Sequence, residues 1–280
     1  MQKISLLGCG WLGLPLAESL IKKGFLVKGS TTTLEKIPLL QEKGILPYLV
    51  SITDTHIEAK DIADFLDSDI LIINFPPKRR AEIITYHTKQ FEKLIPEILK
   101  SKIQKILLIS STSVYPNTNK RIIVTEKETG TPEKESGKAL LAVEKMLLDQ
   151  IKFKTTIIRF SGLIGYDRMP GRFLAGKKEV ENGEAPINVI HQDDCINIIE
   201  TIINHHDHKE IWNDVFNASA DLHPKRKEYY ELAAEKIGLE KPTFAITQKI
   251  VYKIINSDKL KTKLGYQFKY PNPLDLLNQE

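Results

Sequence analysis

Over residues 1–160 the chain alternates short, dense apolar runs with longer stretches in which apolar positions recur at helical spacing. The runs are KISLLG (3–8), LVKGS (26–30), LPYLVSI (46–52), DILIINF (69–75), KILLISS (105–111) and KTTIIRFSG (154–162). Leucine and β-branched residues at nearly every position suit strands covered on both faces, which is how parallel strands are buried. Strand and helix in alternation predict an α/β domain with a parallel sheet. The helical spacing predicts helices over 11–23, 58–67, 79–102 and 136–151. Gly24 marks the first helix's C-terminus, and Pro96 predicts a kink or break in the long helix.

Beyond Gly165 the pattern loosens. It predicts a helical stretch near 171–182, a helix opened and capped by Asp193 or Asp194, a strand at 215–219, and helices near 224–237 and 243–255. There are no repeats and no low-complexity linker. The expected organisation is one lobe over 1–165 and a smaller mixed lobe over 166–280, interleaved without a clean linker.

At 280 residues, 41% hydrophobic and 27% charged, the chain has the composition of a soluble globular protein. Its 40 basic and 36 acidic residues are interspersed, so the net charge of +4 argues against a nucleic-acid partner. Cys9 and Cys195 have neither metal nor redox spacing. The opening MQKISLLGCG reads as a strand rather than a signal peptide, and no apolar run approaches the roughly 18 residues of a membrane span. No metal and no membrane partner is expected, and the default location is cytoplasmic.

LLGCGWLGLPLAESL sets Gly8, Gly10 and Gly13 as G-x-G-x-x-G between the first strand and the first helix. In that context the motif points to a dinucleotide. Gly8 permits the tight turn, Gly10 lets backbone approach a pyrophosphate, and Gly13 allows helix and strand to pack closely. The helix N-terminus supplies N–H groups and partial positive charge, with Trp11 and Leu12 expected to flank the phosphates. The alternative is a bare strand–helix turn, and Cys9 reads as a small filler. The fold class that follows is a Rossmann-type doubly wound parallel sheet with a smaller mixed C-terminal lobe.

The second strand ends in KGSTTTLEK, with Ser30, Thr31, Thr32 and Thr33, and with Lys28 and Lys36 nearby. A carboxylate there would grip a ribose 2′-hydroxyl, but Glu35 comes too late. Hydroxyls without a carboxylate favour NADP, although the usual arginine is missing, so NAD stays open.

GCGWLG, LLISSTSVYP, SGKALLAVEKML, NVIHQDDCINII and NSDKLKTKLGY (256–266), in that order, resemble the extended short-chain dehydrogenases/reductases of the NAD-dependent epimerase/dehydratase type, and more narrowly their atypical branch. The resemblance covers nearly the whole chain. It implies a dinucleotide lobe and a lobe over a small-molecule substrate. Ser111 matches the family's catalytic Ser/Thr. Asn74, Phe75 and Pro76 resemble the segment that packs along the cofactor. A homodimer through helices 79–102 and 136–151 is what the resemblance suggests.

The family carries Y-G-x-S-K-x-x-x-E on the helix over 136–151. With Gly137 and Glu144 in register, Ser136 takes the tyrosine position and Leu140 the lysine position. Lys138 lies about 200° around the helix from position 136, against about 40° for Leu140, so it reads as a solvated lysine. The missing chemistry is a phenol made more acidic by an adjacent ammonium. His87 and Tyr115 are the candidate replacements, beside the bland reading of His87 as an ordinary helix residue.

The HHDH stretch (205–208) lacks zinc partners at the right spacing and reads as a solvated helix end. His191 reads as structural. Arg159, Arg168 and Arg172 would either bind an anionic substrate or pair with nearby acids. Two functions follow: an NAD(P)-dependent oxidoreductase or epimerase-like enzyme with a non-standard active site, or a non-catalytic dinucleotide-binding redox sensor or scaffold.

Overall fold

A computed structural model describes residues 2–118, 123–205, 208, 210–246 and 250–278. In chain order the elements are β1 (Lys3–Leu7), α1 (Gly13–Lys22), β2 (Leu26–Thr31), α2 (Ile37–Glu42), β3 (Leu46–Ile52), β4 (Ile57–Ala59), α3 (Ile62–Phe65), β5 (Ile70–Ile73), α4 (Ile83–Lys100) and β6 (Lys105–Ser111). There follow β7 (Ile123–Val124), α5 (Glu135–Leu148), β8 (Lys154–Phe160), β9 (Gly162–Ile164), α6 (Gly171–Leu174), β10 (Val189–His191), α7 (Gln192–Asn204), β11 (Val215–Ala218), α8 (Arg226–Lys236), β12 (Ile254–Ile255), α9 (Asp258–Leu264) and α10 (Pro273–Leu277). The chain divides into two compact units, one of residues 1–114, 132–159 and 199–215, the other of 115–131, 160–198 and 216–280.

The first unit is built on seven strands of an eight-stranded sheet, in the order β8-β6-β5-β1-β2-β3-β4. The strands from β6 to β3 pair in parallel. Ile70, Leu71, Ile72 and Ile73 of β5 are all fully buried, as a central parallel strand demands. Helix α4 buries Ile83, His87, Phe91, Leu94 and Ile98, a stripe at three- and four-residue spacing. Phe91, Leu94 and Ile98 of that stripe pack with Val143 and Leu147 of α5 into one core. Strand order reverses at β1, where one neighbour is β2 and the other β5, and this switch point is where open α/β sheets bind ligands.

Several expected elements differ. Residues 58–67 form edge strand β4, antiparallel to β3, and the short helix α3 capped by Asp61, rather than one helix. Edge pairing offered the short IEA run more backbone bonds than a lone helical turn. Helix α4 runs unbroken through Pro96, which lies on its exposed face where water can reach the carbonyl of Glu92. The turn α2 was not foreseen.

The second unit has two two-stranded parallel sheets, β9 with β10 and β7 with β12. The helix expected near 171–182 stops at Leu174, two residues before Gly176 at φ +69°. Of the helix expected near 243–255, residues 247–249 lie outside the described residues, and the described part carries a bridge at Phe244 and β12 instead. Its β-branched residues (Thr243, Ile246, Ile250, Val251, Ile254 and Ile255) suit extended backbone better. No helix among the described residues is long and apolar enough to cross a membrane.

Candidate functional site

The glycine turn is fixed from three strand ends. The Gly8 N–H donates to Ser30 Oγ at 2.9 Å, Asn74 Nδ2 donates to the Gly8 carbonyl at 2.9 Å, and the Cys9 N–H donates to the Ser30 carbonyl at 2.8 Å. Gly8 has φ +111°, and a Cβ there would lie 2.6 Å from the Asn74 carbonyl oxygen. A Cβ on Gly13 would lie 2.1 Å from the Gly8 carbonyl oxygen, so helix α1 can approach the strand only with glycine there. A Cβ on Gly10 would meet nothing within 4 Å. Turn and packing thus require two glycines, and the third leaves bare backbone on a pocket wall. Burial pushes the Cys9 thiol up to about 12, so it stays protonated and inert.

The pocket is a cavity of about 330 Å³. It brings together Gly8, Gly10, Ser30, Thr31, Thr32, Asn74, Phe75 and Pro76 of the expected cofactor residues. Trp11, Leu12 and Gly13 are not on its wall, and Leu12 is buried. Sequence reasoning missed Val50, Ser51 and Ile52 at the end of β3, Gln90 on α4, and Lys78. The β3 residues could have been found by reading the strand beside β2 to its end, and Lys78 from the PPKRR run after β5. No carboxylate lines this pocket, whereas the ammonium groups of Lys36 and Lys78 do. Lys28 instead points away, buried against Asp64 at 3.0 Å.

The end of β6 and the opening of α5 pack closely together. Ser111 ends β6 at the sheet's carboxyl edge, and its Oγ accepts the Ser113 N–H at 3.1 Å. A Cβ on Gly137 would lie 2.2 Å from the Ser113 carbonyl oxygen, which locks α5 against that turn. Glu144 is buried and takes Arg159 in a bidentate pair, with contacts of 3.1 and 2.5 Å, while Ser110 Oγ donates to it at 2.5 Å. Arg159 therefore spends its fork on an acid. The register of α5 places Ser136 in its first turn and Leu140 on its buried face. Lys138 is solvated and paired with Glu135 at 2.6 Å.

His87 is buried on α4 between the rings of Phe75 and Phe91, at 5.6 and 5.2 Å. Gln90 Nε2 donates to the Ile52 carbonyl, so Gln90 Oε1 must accept the proton on His87 Nδ1 at 3.0 Å. Nε2 is then a buried acceptor without a partner. Burial holds the imidazole below its usual range, so it is neutral and carries no proton at Nε2 to give. In the second unit, the Tyr115 hydroxyl is buried and donates to Asn217 Oδ1 at 2.8 Å.

His191 stacks edge-on against Tyr270, with ring centres 4.4 Å apart, and its Nδ1 accepts the Asp193 N–H at 3.2 Å. The imidazole thus occupies the helix-opening position expected of an aspartate. Asp194 instead accepts from the Tyr266 hydroxyl and the Lys269 and Tyr270 N–H groups, tethering the C-terminal segment. Arg168 and Arg172 are exposed. Of the HHDH stretch, His206 and Asp207 lie outside the described residues.

No family model matches the chain. Protein YeeZ of Escherichia coli K12 is 32% identical over 276 residues, covering 98% of both chains. Among solved structures, a short-chain dehydrogenase/reductase superfamily protein from Agrobacterium tumefaciens, with bound NAD, superposes with a TM-score of 0.80 at 17% identity, covering 99% of this chain and 95% of that one. UDP-glucuronic acid 4-epimerase from Bacillus cereus, in complex with NAD, gives 0.78 at 18% identity, covering 99% and 94%. The fold, with its eight-stranded and mostly parallel sheet, is that of the extended short-chain dehydrogenases/reductases of the epimerase/dehydratase type. Within it, the chain belongs to the family of Protein YeeZ.

Proposed function

We propose that this chain binds NAD(P), with NADP preferred, and acts as an oxidoreductase or epimerase-like enzyme whose active site lacks the usual tyrosine–lysine relay. The observation that carries the reading is the first unit's pocket, in which bare Gly10 backbone and the ends of β1, β2, β3 and β5 converge. A bound nicotinamide would supply hydride chemistry; the protein supplies orientation and charge. Gly10 leaves room for a diphosphate near the positive end of α1, where the Leu14 N–H is spent on the Gly10 carbonyl at 3.0 Å and Pro15 has no N–H to give. Thr32, Thr33, Lys36 and Lys78 offer hydroxyl and ammonium groups, with no carboxylate to repel a 2′-phosphate. They take the place of the absent arginine. Ser111 keeps a hydroxyl proton for a reacting oxygen, because its lone pair already accepts from Ser113.

The second reading, a dinucleotide-binding sensor or scaffold without turnover, is favoured by one observation. Ser136 and Leu140 hold the relay positions, while the His87 and Tyr115 donors are both engaged elsewhere. Titration with NADPH and NADH separates the outcomes. Ligand at about 100 times its Kd should raise stability by about 2.7 kcal/mol, with NADPH binding more tightly. No thermal shift with either nucleotide sinks both readings. Binding without oxidation or reduction of any carbonyl or alcohol substrate leaves the sensor.

A further inference from the structure

The second unit holds its own cavity, of about 290 Å³, between β9, β10, the first turn of α8 and residues 251–253. No carboxylate lines it, and two cations do, Arg226 and Lys253. The Lys253 Nζ donates to the Tyr115 carbonyl at 2.6 Å, which ties it to the wall. Two of the polar side chains on the wall are likewise spent on backbone. Asn188 donates to the Lys253 carbonyl and accepts the Ile255 N–H, both at 2.8 Å, and Asn182 Oδ1 accepts the Val251 N–H at 3.2 Å.

Arg226 differs. Its guanidinium meets the face of Tyr230, 5.7 Å from the ring centre, and its Nε is buried without a hydrogen-bond partner. The Nε is closed off from the cavity, so it is the place of Arg226 on the wall, with no carboxylate beside it, that suits an anion held by a planar fork through two N–H groups. Charge selects among anions. One uncommitted guanidinium balances one carboxylate, whereas a phosphate ester carries about 1.5 to 2 negative charges and a diphosphate more. Size agrees, because the volume lies near the lower end of small-molecule sites, roughly 300 Å³. The rest of the wall is mixed: Phe173 and Tyr230, with ring centres 6.5 Å apart, stand beside Ile164, Ile187 and Val189, with Asn117 and Tyr252 adding polar groups.

We propose that this cavity binds a small carboxylic acid with a flat apolar or aromatic body, its carboxylate held bidentate by Arg226 and its body against Phe173 and Tyr230. The site lies within the second unit, so it stands or falls apart from dinucleotide binding in the first.

Calorimetric titration of the full chain with benzoate, phenyl phosphate and UMP tests it, with NADPH titrated into the same preparation. Benzoate should bind, and phenyl phosphate and UMP should bind more weakly. Arg226→Gln should weaken benzoate on the order of 10- to 100-fold while NADPH affinity is unchanged. Arg226→Lys keeps the charge but loses the fork, and should still weaken benzoate several-fold, which serves should the glutamine variant fold poorly. Absence of benzoate binding, equal binding by both variants, or tighter binding of UMP or phenyl phosphate than of benzoate overturns the proposal. Loss of NADPH binding alone overturns only the reading of the first unit.

Discussion

The two units keep their shape by different means. The first relies on a continuous parallel ladder over a core of leucine, isoleucine and phenylalanine. In the second, paired strands are two or three residues long, and side chains bond the backbone where ladders are missing. Asn188 holds residues 253 and 255, Asp194 holds residues 269 and 270, and Ser257 Oγ accepts the Ser219 N–H and donates to the Ser219 carbonyl. A unit of the first kind should be sensitive to volume, and one of the second kind to single polar atoms.

The sharpest test of that contrast is at Gly13. A Cβ 2.1 Å from a backbone carbonyl cannot be relieved by a side-chain rotation, so Gly13→Val should cost about 4 kcal/mol or more, seen as a collapse in urea midpoint. Gly10→Ala, into open space, should leave stability within about 1 kcal/mol while weakening dinucleotide binding. Next comes the ion pair buried beneath α5. Arg159→Met strands the Glu144 carboxylate and should cost about 3–5 kcal/mol, and restoring Glu144→Leu beside it should recover much of the loss. Asp194→Ala in the second unit removes three hydrogen bonds without opening a large cavity, and should cost about 2–3 kcal/mol. If Asp194→Ala is silent, the contrast between the units is wrong.

The same contrast explains what the sequence disclosed. The six strand runs of residues 1–160 were readable because burial on both faces forces unbroken apolar composition, and the glycine turn because sterics permit no other residue at Gly8 or Gly13. Edge strand β4, β12 and the bridge at Phe244 were not readable. β12 and the bridge depend on partners far away in sequence, β4 on a hairpin with the adjacent β3, and local helical spacing in 58–67 and 243–255 carried no trace of either. At the site, Lys78 and Gln90 reach the pocket only through the packing of α4 and its preceding loop. His87 was a chemically reasonable candidate, and only the Gln90 amide and the burial of the ring show that it is held neutral.

Acid should unmask the buried imidazoles in both units. Burial lowers the pKa of His87 in the first unit and of His191 and His223 in the second, each from 6.5. A histidine whose folded value lies below its unfolded one binds protons more readily when unfolded. The stabilisation is therefore complete above about pH 6.5 and is lost as pH falls beneath it. Urea midpoints should decline between pH 7 and 5, and His87→Phe should flatten part of the slope, with His191→Phe flattening a separate part. A midpoint that rises on acidification contradicts this.

The smallest expected effect bears on the largest functional question. Lys138 is the one lysine near the relay position, and its ammonium lies at the surface in an i,i+3 pair with Glu135. Exposed pairs of this kind contribute about 0.2–0.5 kcal/mol, so Lys138→Met should barely move the melting temperature. It should also leave any dinucleotide-dependent turnover intact, because a side chain on the solvated flank of α5 cannot lower the pKa of a group beside buried Leu140. A phenol relay needs its ammonium within about 4–6 Å, and the helix geometry that buries Leu140 carries Lys138 around the axis from it. Turnover abolished by Lys138→Met, with stability unchanged, would mean that a lysine relay operates after all and that α5 has been read in the wrong register.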